Sequence, residues 1–350
     1  MLRLSDTRSQ QADQIDPARR GQLRVFSCGP PAARYADLGD LRTALLADLI
    51  RRAAHRHRLS VLVCEGSNDV GQAADWQLYA GAFRADCSAI NIRPPDYAPR
   101  ASESIGLITD MIAGLISAGH AYATADGSVY FDAGDQPDWV LWRGGRGAGE
   151  APWAAPWGQR SPGSDIACSA MSLHYLGDVI DIHTGGVESR FTHYATERAQ
   201  SDAAAGHEVV RHWVHGELVR FASVSPGGEV LLADLGQRGL DPLALRLAFL
   251  ERRYRERLDL TWPGLTEADR TLRQWREQVA DWATHPSRPM SAPHVAEIAG
   301  AFDDDLNAPA ALAVLRDLAS TADISPGAKF ETFAHVDQLL GLDLVREVGR

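Results

Sequence analysis

Residues 22–66 constrain the fold more than any other stretch of this 350-residue chain. QLRVFSC at 22–28 has the apolar density of a short buried strand, and Gly29-Pro30-Pro31 breaks it. From Asp40 to about Ala54, Leu41, Ala44, Leu45, Leu49 and Ile50 recur at helical spacing. LSVLVCEG at 59–66 is again strand-like. Strand, turn, helix and strand within about 40 residues make a βαβ unit and predict a parallel sheet. Such sheets bind ligands outside the carboxyl ends of their strands. Cys28 and Asp69 fall at or just beyond two of those ends.

The rest of the chain divides by pattern. Residues 71–122 read as mainly helical, with a PPDYAP break at 94–99, and Ser128–Phe131 reads as a strand. Residues 133–164 are rich in Gly, Pro and Trp and read as an irregular segment pinned by Trp139, Trp142, Trp153 and Trp157. A strand is expected over Val179–His183, ended by Thr184-Gly185-Gly186. A helix over Phe191–Ala205 and a last strand over 213–221 follow. Residues 241–256 and about 266–342 read as helical, with breaks at THPSRP and DISPG, and no internal repeat stands out.

Composition narrows the function. The formal charge of −11 argues against a broad phosphate-binding surface, because nucleic-acid affinity rests on clustered Lys and Arg. Lys329 is the one lysine, so chemistry that needs a tunable amine has little to draw on. Four cysteines are too few for a disulfide scaffold. No apolar run approaches the ~20 residues of a membrane span. The polar first 20 residues show no secretory pattern, so a cytoplasmic protein without membrane contact is expected.

Four scattered residues form a candidate metal set. Cys28 ends a strand, Cys168 sits in DIACSAM, and His193 and Glu197 are four apart in FTHYATERAQS, which puts both on one helix face. Two thiolates, an imidazole and a carboxylate suit tetrahedral zinc. The alternative is a surface His-x₃-Glu pair and two small buried thiols. Cys64 and Cys87 lie in apolar surroundings and read as core thiols. His55 and His57, in RRAAHRHR, read as a solvated helix face.

The order of segments resembles one family. RVFSCGPPAARYADLGDLRT is similar to the opening of the cysteinyl-tRNA synthetases, class I enzymes with a pattern near VCGPTVYDYAHIGHART. AFRADCSAINIRPPDYAPRASESI, PWGQRSPGSDIACSAMSLHYLG, DIHTGGVESRFTHYATERAQS, HWVHGELVRF and FDDDLNAPAALAVL resemble further family segments, in family order. The resemblance runs from residue 22 to about 345. It implies a class I Rossmann-like parallel sheet over 1–235, split by a helical and irregular insertion at 75–160. A linker at 236–265 and a helical bundle at 266–350 complete the expected plan. The shorter chain resembles mycothiol ligase in architecture, so anticodon recognition is not expected.

Residue by residue, the resemblance implies zinc on Cys28, Cys168, His193 and Glu197, where the family metal binds the thiolate of substrate cysteine. Gly29, Asp69, Ser164 and His183 would line the substrate pocket. The nucleotide-site positions depart from the family. Its HIGH motif becomes Asp37, Leu38, Gly39 and Asp40. KMSKS becomes Phe221-Ala222-Ser223-Val224-Ser225, with both lysines gone. Gly185, Gly186 and Glu188 remain of the GGGxD stretch, with Thr184 for its first glycine, and the second histidine of HHENE is Tyr194. Asp37 and Asp40 would repel a triphosphate by several kcal/mol if desolvated, a sign that bound Mg²⁺ would reverse.

Two functions stay open at this point. One is a zinc-dependent ligase or transferase joining cysteine, or a related thiol amino acid, to a small-molecule amine, with ATP use in question. The other is a non-catalytic, zinc-dependent amino-acid sensor or partner subunit.

Overall fold

The computed structural model describes residues 1–70, 75–134, 137–144, 153–187, 193–222 and 230–350. Its centre is a four-stranded parallel sheet of β1 (Gln22–Cys28), β2 (Ser60–Gly66), β3 (Ile180–Gly186) and β4 (Val210–Gly216), in the order β4-β3-β1-β2. The helices are α1 (Leu38–Arg56), α2 (Trp76–Ala89), α3 (Ile105–Ser117), α4 (Ser164–Leu176), α5 (Ala195–Ala205) and α6 (Leu232–Gln237). They continue as α7 (Pro242–Leu250), α8 (Trp262–Trp282), α9 (Ala292–Asp303), α10 (Ala308–Ser320) and α11 (Pro326–Leu340). This is the expected α/β parallel-sheet class. Among the described residues no helix is long and apolar enough to cross a membrane.

α1 is the crossover of the βαβ unit. Leu41, Leu45, Leu46, Leu49, Ile50 and Ala53 of α1 are all buried in one core with residues of the sheet and of the C-terminal helices. Full burial of each large aliphatic side chain stabilises by about 1.5–3 kcal/mol. One core therefore runs from the sheet through α1 into α7, α8 and α11. A buried ion network locks the same junction. Asp48 of α1 accepts from Arg52 Nε at 2.7 Å and from Arg246 Nη2 of α7 at 2.8 Å. Arg246 also donates to the carbonyls of Ile90 and Leu340.

Register aligns the sheet's carboxyl ends. Cys28 pairs with Gly66, Thr184 with Ser27, and Gly186 with Gly216. β3 thus runs through Gly185 and Gly186 instead of stopping at Thr184, because both glycines still pair with β4. The strand expected over 213–221 divides. Val210–Gly216 stays in the sheet, and Val219–Phe221 leaves to pair with Leu258–Leu260 after the Glu217 amide turns to the Tyr254 carbonyl.

Two further differences lie between β2 and β3. The segment read as irregular holds three strands, Trp139–Arg143, Trp153–Ala155 and Gly158–Pro162. They join Ala121–Ala123 and Val129–Phe131 in a five-stranded antiparallel sheet. Trp142 is its fully buried centre, edge-on to Trp157. The other difference is α4, which the reading of DIACSAM did not include. Ala167, Cys168, Ser169, Ala170, Met171 and Ser172 are all buried, so this helix has no polar face and shows no 3.6-residue alternation. An N-terminal hairpin of Arg3–Asp6 and Gln11–Gln14 is likewise absent from the reading.

Candidate metal and amino-acid site

Three elements bring the thiols together. β1 ends at Cys28, α4 carries Cys168 on its second turn, and α5 carries Glu197 in its first. The Cys168 thiol lies close enough to Cys28 and to the Glu197 carboxyl to shift the titration of both. The interaction with Cys168 pulls the Cys28 thiol below its ordinary pKa, while the same interaction and burial push Cys168 well up. Cys28 is thus the readier thiolate. Burial pushes the Glu197 carboxyl well up and brings the buried His183 imidazole down to about 4. His183 Nε2 and the Glu197 carboxyl share a hydrogen bond of 2.8 Å. His183 Nδ1 is buried with no partner among the described residues.

His193 stands apart from this cluster. Its Nδ1 hydrogen-bonds Asp165, and Ser164 Oγ donates to the same carboxylate oxygen at 2.7 Å. The bond to Asp165 raises the imidazole to about 9. Among the described residues no group of three or more His, Cys, Asp or Glu side chains stands ready to hold a metal ion. The donor types nevertheless fit zinc. Two thiols, a carboxyl and an imidazole are its usual ligands, and a carboxylate on Nδ1 leaves Nε2 as the ligating nitrogen. The set is complete in kind and incomplete in arrangement, with His193 as the outlying member.

Tyr194 forms a wall of this site. Its ring packs on His183, Trp213 and His215, and its Oη lies 3.9 Å from Cys28 Sγ. A Cβ on Gly185 would fall 1.5 Å from that Oη, so only glycine lets the phenol lie over β3. Gly29 serves a similar close approach. Its N–H donates to Gly66 O at 2.8 Å, and a side chain there would strike Ser67 Oγ. Asp69 is placed elsewhere. Its carboxylate accepts the Ser102 N–H at 2.8 Å and Oγ–H at 2.6 Å, pinning the turn before α3 instead of facing the thiols.

The other candidate positions gather at the start of α1. Asp37 is the N-cap, and its Oδ1 accepts from Gly39 N at 2.7 Å and Asp40 N at 3.0 Å. Asp40 Oδ2 returns to Asp37 N at 2.8 Å and pairs with Arg34 Nη1 at 2.7 Å. This is a capping box, and it occupies the amide N–H groups that a helix N-terminus offers to an anion. Burial raises the Asp40 carboxyl.

The model of the class I (C) tRNA synthetase catalytic domain matches residues 14–138 and 133–270. The chain belongs to that family. Two relatives are cysteine–tRNA ligases. One, from Opitutus terrae, is 33% identical over 403 residues, spanning 98% of this chain and 86% of its own. The other, from Clavibacter michiganensis subsp. michiganensis, is 35% identical over 387 residues, spanning 90% and 78%. Solved class I synthetases share the fold. Mycobacterium tuberculosis methionyl-tRNA synthetase bound by methionyl-adenylate superposes with a TM-score of 0.62 at 13% identity, over 92% of this chain and 90% of that one. Thermus thermophilus arginyl-tRNA synthetase gives 0.53 at 15% identity, over 97% and 84%.

As a class I (C) synthetase-family chain, this protein keeps the two thiols, His183 and Glu197 in contact and carries acidic caps where the family resemblance puts HIGH. Glu188, Ser223 and Ser225 lie outside the described residues. Gly186 closes β3 opposite Gly216. Sequence reading missed Asp165 as the partner of His193. The only signal was an acid three residues before Cys168.

Proposed function

We propose that the chain is a zinc-dependent ligase or transferase that acts on cysteine or a related thiol amino acid and joins its carboxyl to a small-molecule amine. The observation that carries this reading is the Cys28–Cys168–Glu197 cluster at the carboxyl end of the sheet, beside an α1 N-terminus filled by Asp37 and Asp40. Cys28, Cys168, His193 and Glu197 would hold the metal, and bound zinc would supply an anchor for a substrate thiolate that serine's hydroxyl cannot match. His183 holds Glu197 in place, Asp165 orients His193, and Tyr194 closes the pocket over Gly185. The bond formed is carboxyl carbon to amine nitrogen, with loss of the carboxyl's activating group and one amine proton. Four free cysteines suit a reducing, cytoplasmic setting.

A second reading is favoured by the same caps. Asp37 and Asp40 place negative charge at the helix end where a polyphosphate would need donors, which suits a zinc-dependent amino-acid sensor or partner subunit. Amino-acid-dependent ATP–pyrophosphate exchange on zinc-loaded protein separates the two. Exchange with cysteine supports an ATP-using ligase. Absence of exchange, with zinc-dependent cysteine binding intact, removes that ligase and leaves a transferase of pre-activated substrate or the sensor.

A further inference from the structure

A cavity of about 270 Å³ opens at the far end of α1, roughly 28 Å along the helix from the Asp37 cap. The last turns of α1, the segment after α2, and helices α9 and α11 enclose it. Three arginines and two histidines line it (Arg52, Arg56, Arg93, His55 and His335), and among the described residues no acidic side chain does, in a chain of formal charge −11. His55 is exposed, as expected of a solvated helix face, and it also borders this cavity. His57 is also engaged, with its Nε2 2.6 Å from Asp303 Oδ1.

Two of the arginines have structural work. Arg52 is held by Asp48 and donates to the carbonyls of Gln338 and Asn91. Arg56 pairs with Asp303. Carbonyls near helix C-termini attract such cations, which accounts for Arg52, and the Asp303 carboxylate accounts for Arg56. Arg93 differs. Its Nη1 donates to His55 Nδ1 at 2.9 Å, and no carboxylate of the described residues pairs with its guanidinium. Accepting at Nδ1 makes His55 a neutral imidazole whose proton sits on Nε2. Burial and then Arg93 push its pKa down, in agreement. A guanidinium and an imidazole N–H thus stand together without an anion. The remaining wall is apolar at Val295, Ala299, Val336 and Leu339 and polar at Gln338.

We propose that this cavity binds a small organic oxyanion, a phosphate or carboxylate on a short apolar body, with Arg93 as its ion-pair partner. The head group meets Arg93 and the body lies against α9 and α11, so the ligand bridges α1 to the C-terminal helices. Guanidinium suits either head group because it donates two parallel hydrogen bonds.

The test is calorimetric titration of the full chain at fixed ionic strength with phenyl phosphate, benzoate and inorganic phosphate. Saturable binding of phenyl phosphate or benzoate at one site per chain is expected, and the tighter of the two identifies the head group. Arg93→Ala should weaken it about tenfold or more, and Arg93→Glu should abolish it. Arg270→Glu, an equal charge change on exposed α8, should leave it unchanged. The proposal is overturned by no saturable binding of either organic anion, by equal binding in Arg93→Glu, by equal loss in Arg270→Glu, or by inorganic phosphate binding as tightly. Circular dichroism confirms that the Arg93 variants, altered at an exposed side chain, keep their fold.

Discussion

Asp37 and Asp40 cap each other across the first turn of α1: each carboxylate accepts the other residue's backbone N–H, at 3.0 and 2.8 Å. In the family resemblance this turn carries the histidines of HIGH. Asp37 and Asp40 have a complete structural role here, and Arg34 is drawn in to balance one carboxylate.

Removing that reciprocity has a stability cost. Asp40→Ala and Asp37→Ala should each destabilise the fold by about 0.5–2 kcal/mol, the usual cost of losing an N-terminal cap. Urea unfolding measures it. Unchanged midpoints would show that the capping box contributes nothing.

Asp165 should control zinc affinity without touching the metal. Outer-sphere carboxylates on ligating histidines are worth about 10–100-fold in metal affinity. Asp165→Asn should therefore raise the zinc dissociation constant by about that factor, measured by chelator competition. Cys28→Ser and Cys168→Ser should lower zinc content much further. Equal zinc affinity in Asp165→Asn would mean that His193 binds no metal.

The phenol of Tyr194 and the bare face of Gly185 are coupled. Gly185→Ala should destabilise by about 1–3 kcal/mol through overpacking. The penalty should largely vanish in a Tyr194→Ala background, because the atoms a Cβ would strike belong to that ring. A double-mutant cycle reads the coupling directly. Additive effects would show that the two residues do not share this space.

Asp48 ties stability to pH. Burial alone would raise its pKa, but the Arg246 and Arg52 guanidiniums outweigh burial and hold it below the usual carboxylate value. A depressed folded pKa means the contribution is full above the unfolded value of about 4 and is lost as pH falls through the folded one. Asp48→Asn should cost about 3–5 kcal/mol at neutral pH, because it strands two buried arginines. The gap to the wild type should narrow in acid. A pH-independent gap would contradict the ion-network account.

Legibility in the sequence followed the range of the interactions. The βαβ unit was readable because each of its elements shows its own period, and Leu41 to Ile50 give α1 a clear apolar stripe. α4 was not, since burial on all sides erases periodicity around Cys168. The antiparallel strands of the insertion were hidden by their Gly, Pro and Trp content and short length. The candidate ligands Cys28, Cys168, His193 and Glu197 were legible through residue type together with the family resemblance, and of them Cys28, Cys168 and Glu197 lie near one another while His193 stands apart. The His193–Asp165 bond spans 28 residues and the cavity at Arg93 joins segments more than 200 residues apart, so neither leaves a local trace.

The proposed function rests on a zinc ion, held by Cys28, Cys168, His193 and Glu197, that accepts a substrate thiol. Zinc-edge X-ray absorption on protein loaded with one zinc per chain tests it most directly, before and after addition of cysteine. Two sulfur neighbours at about 2.3 Å should become three with cysteine and remain two with serine. No stoichiometric zinc, or a sulfur count that cysteine leaves unchanged, would contradict the account.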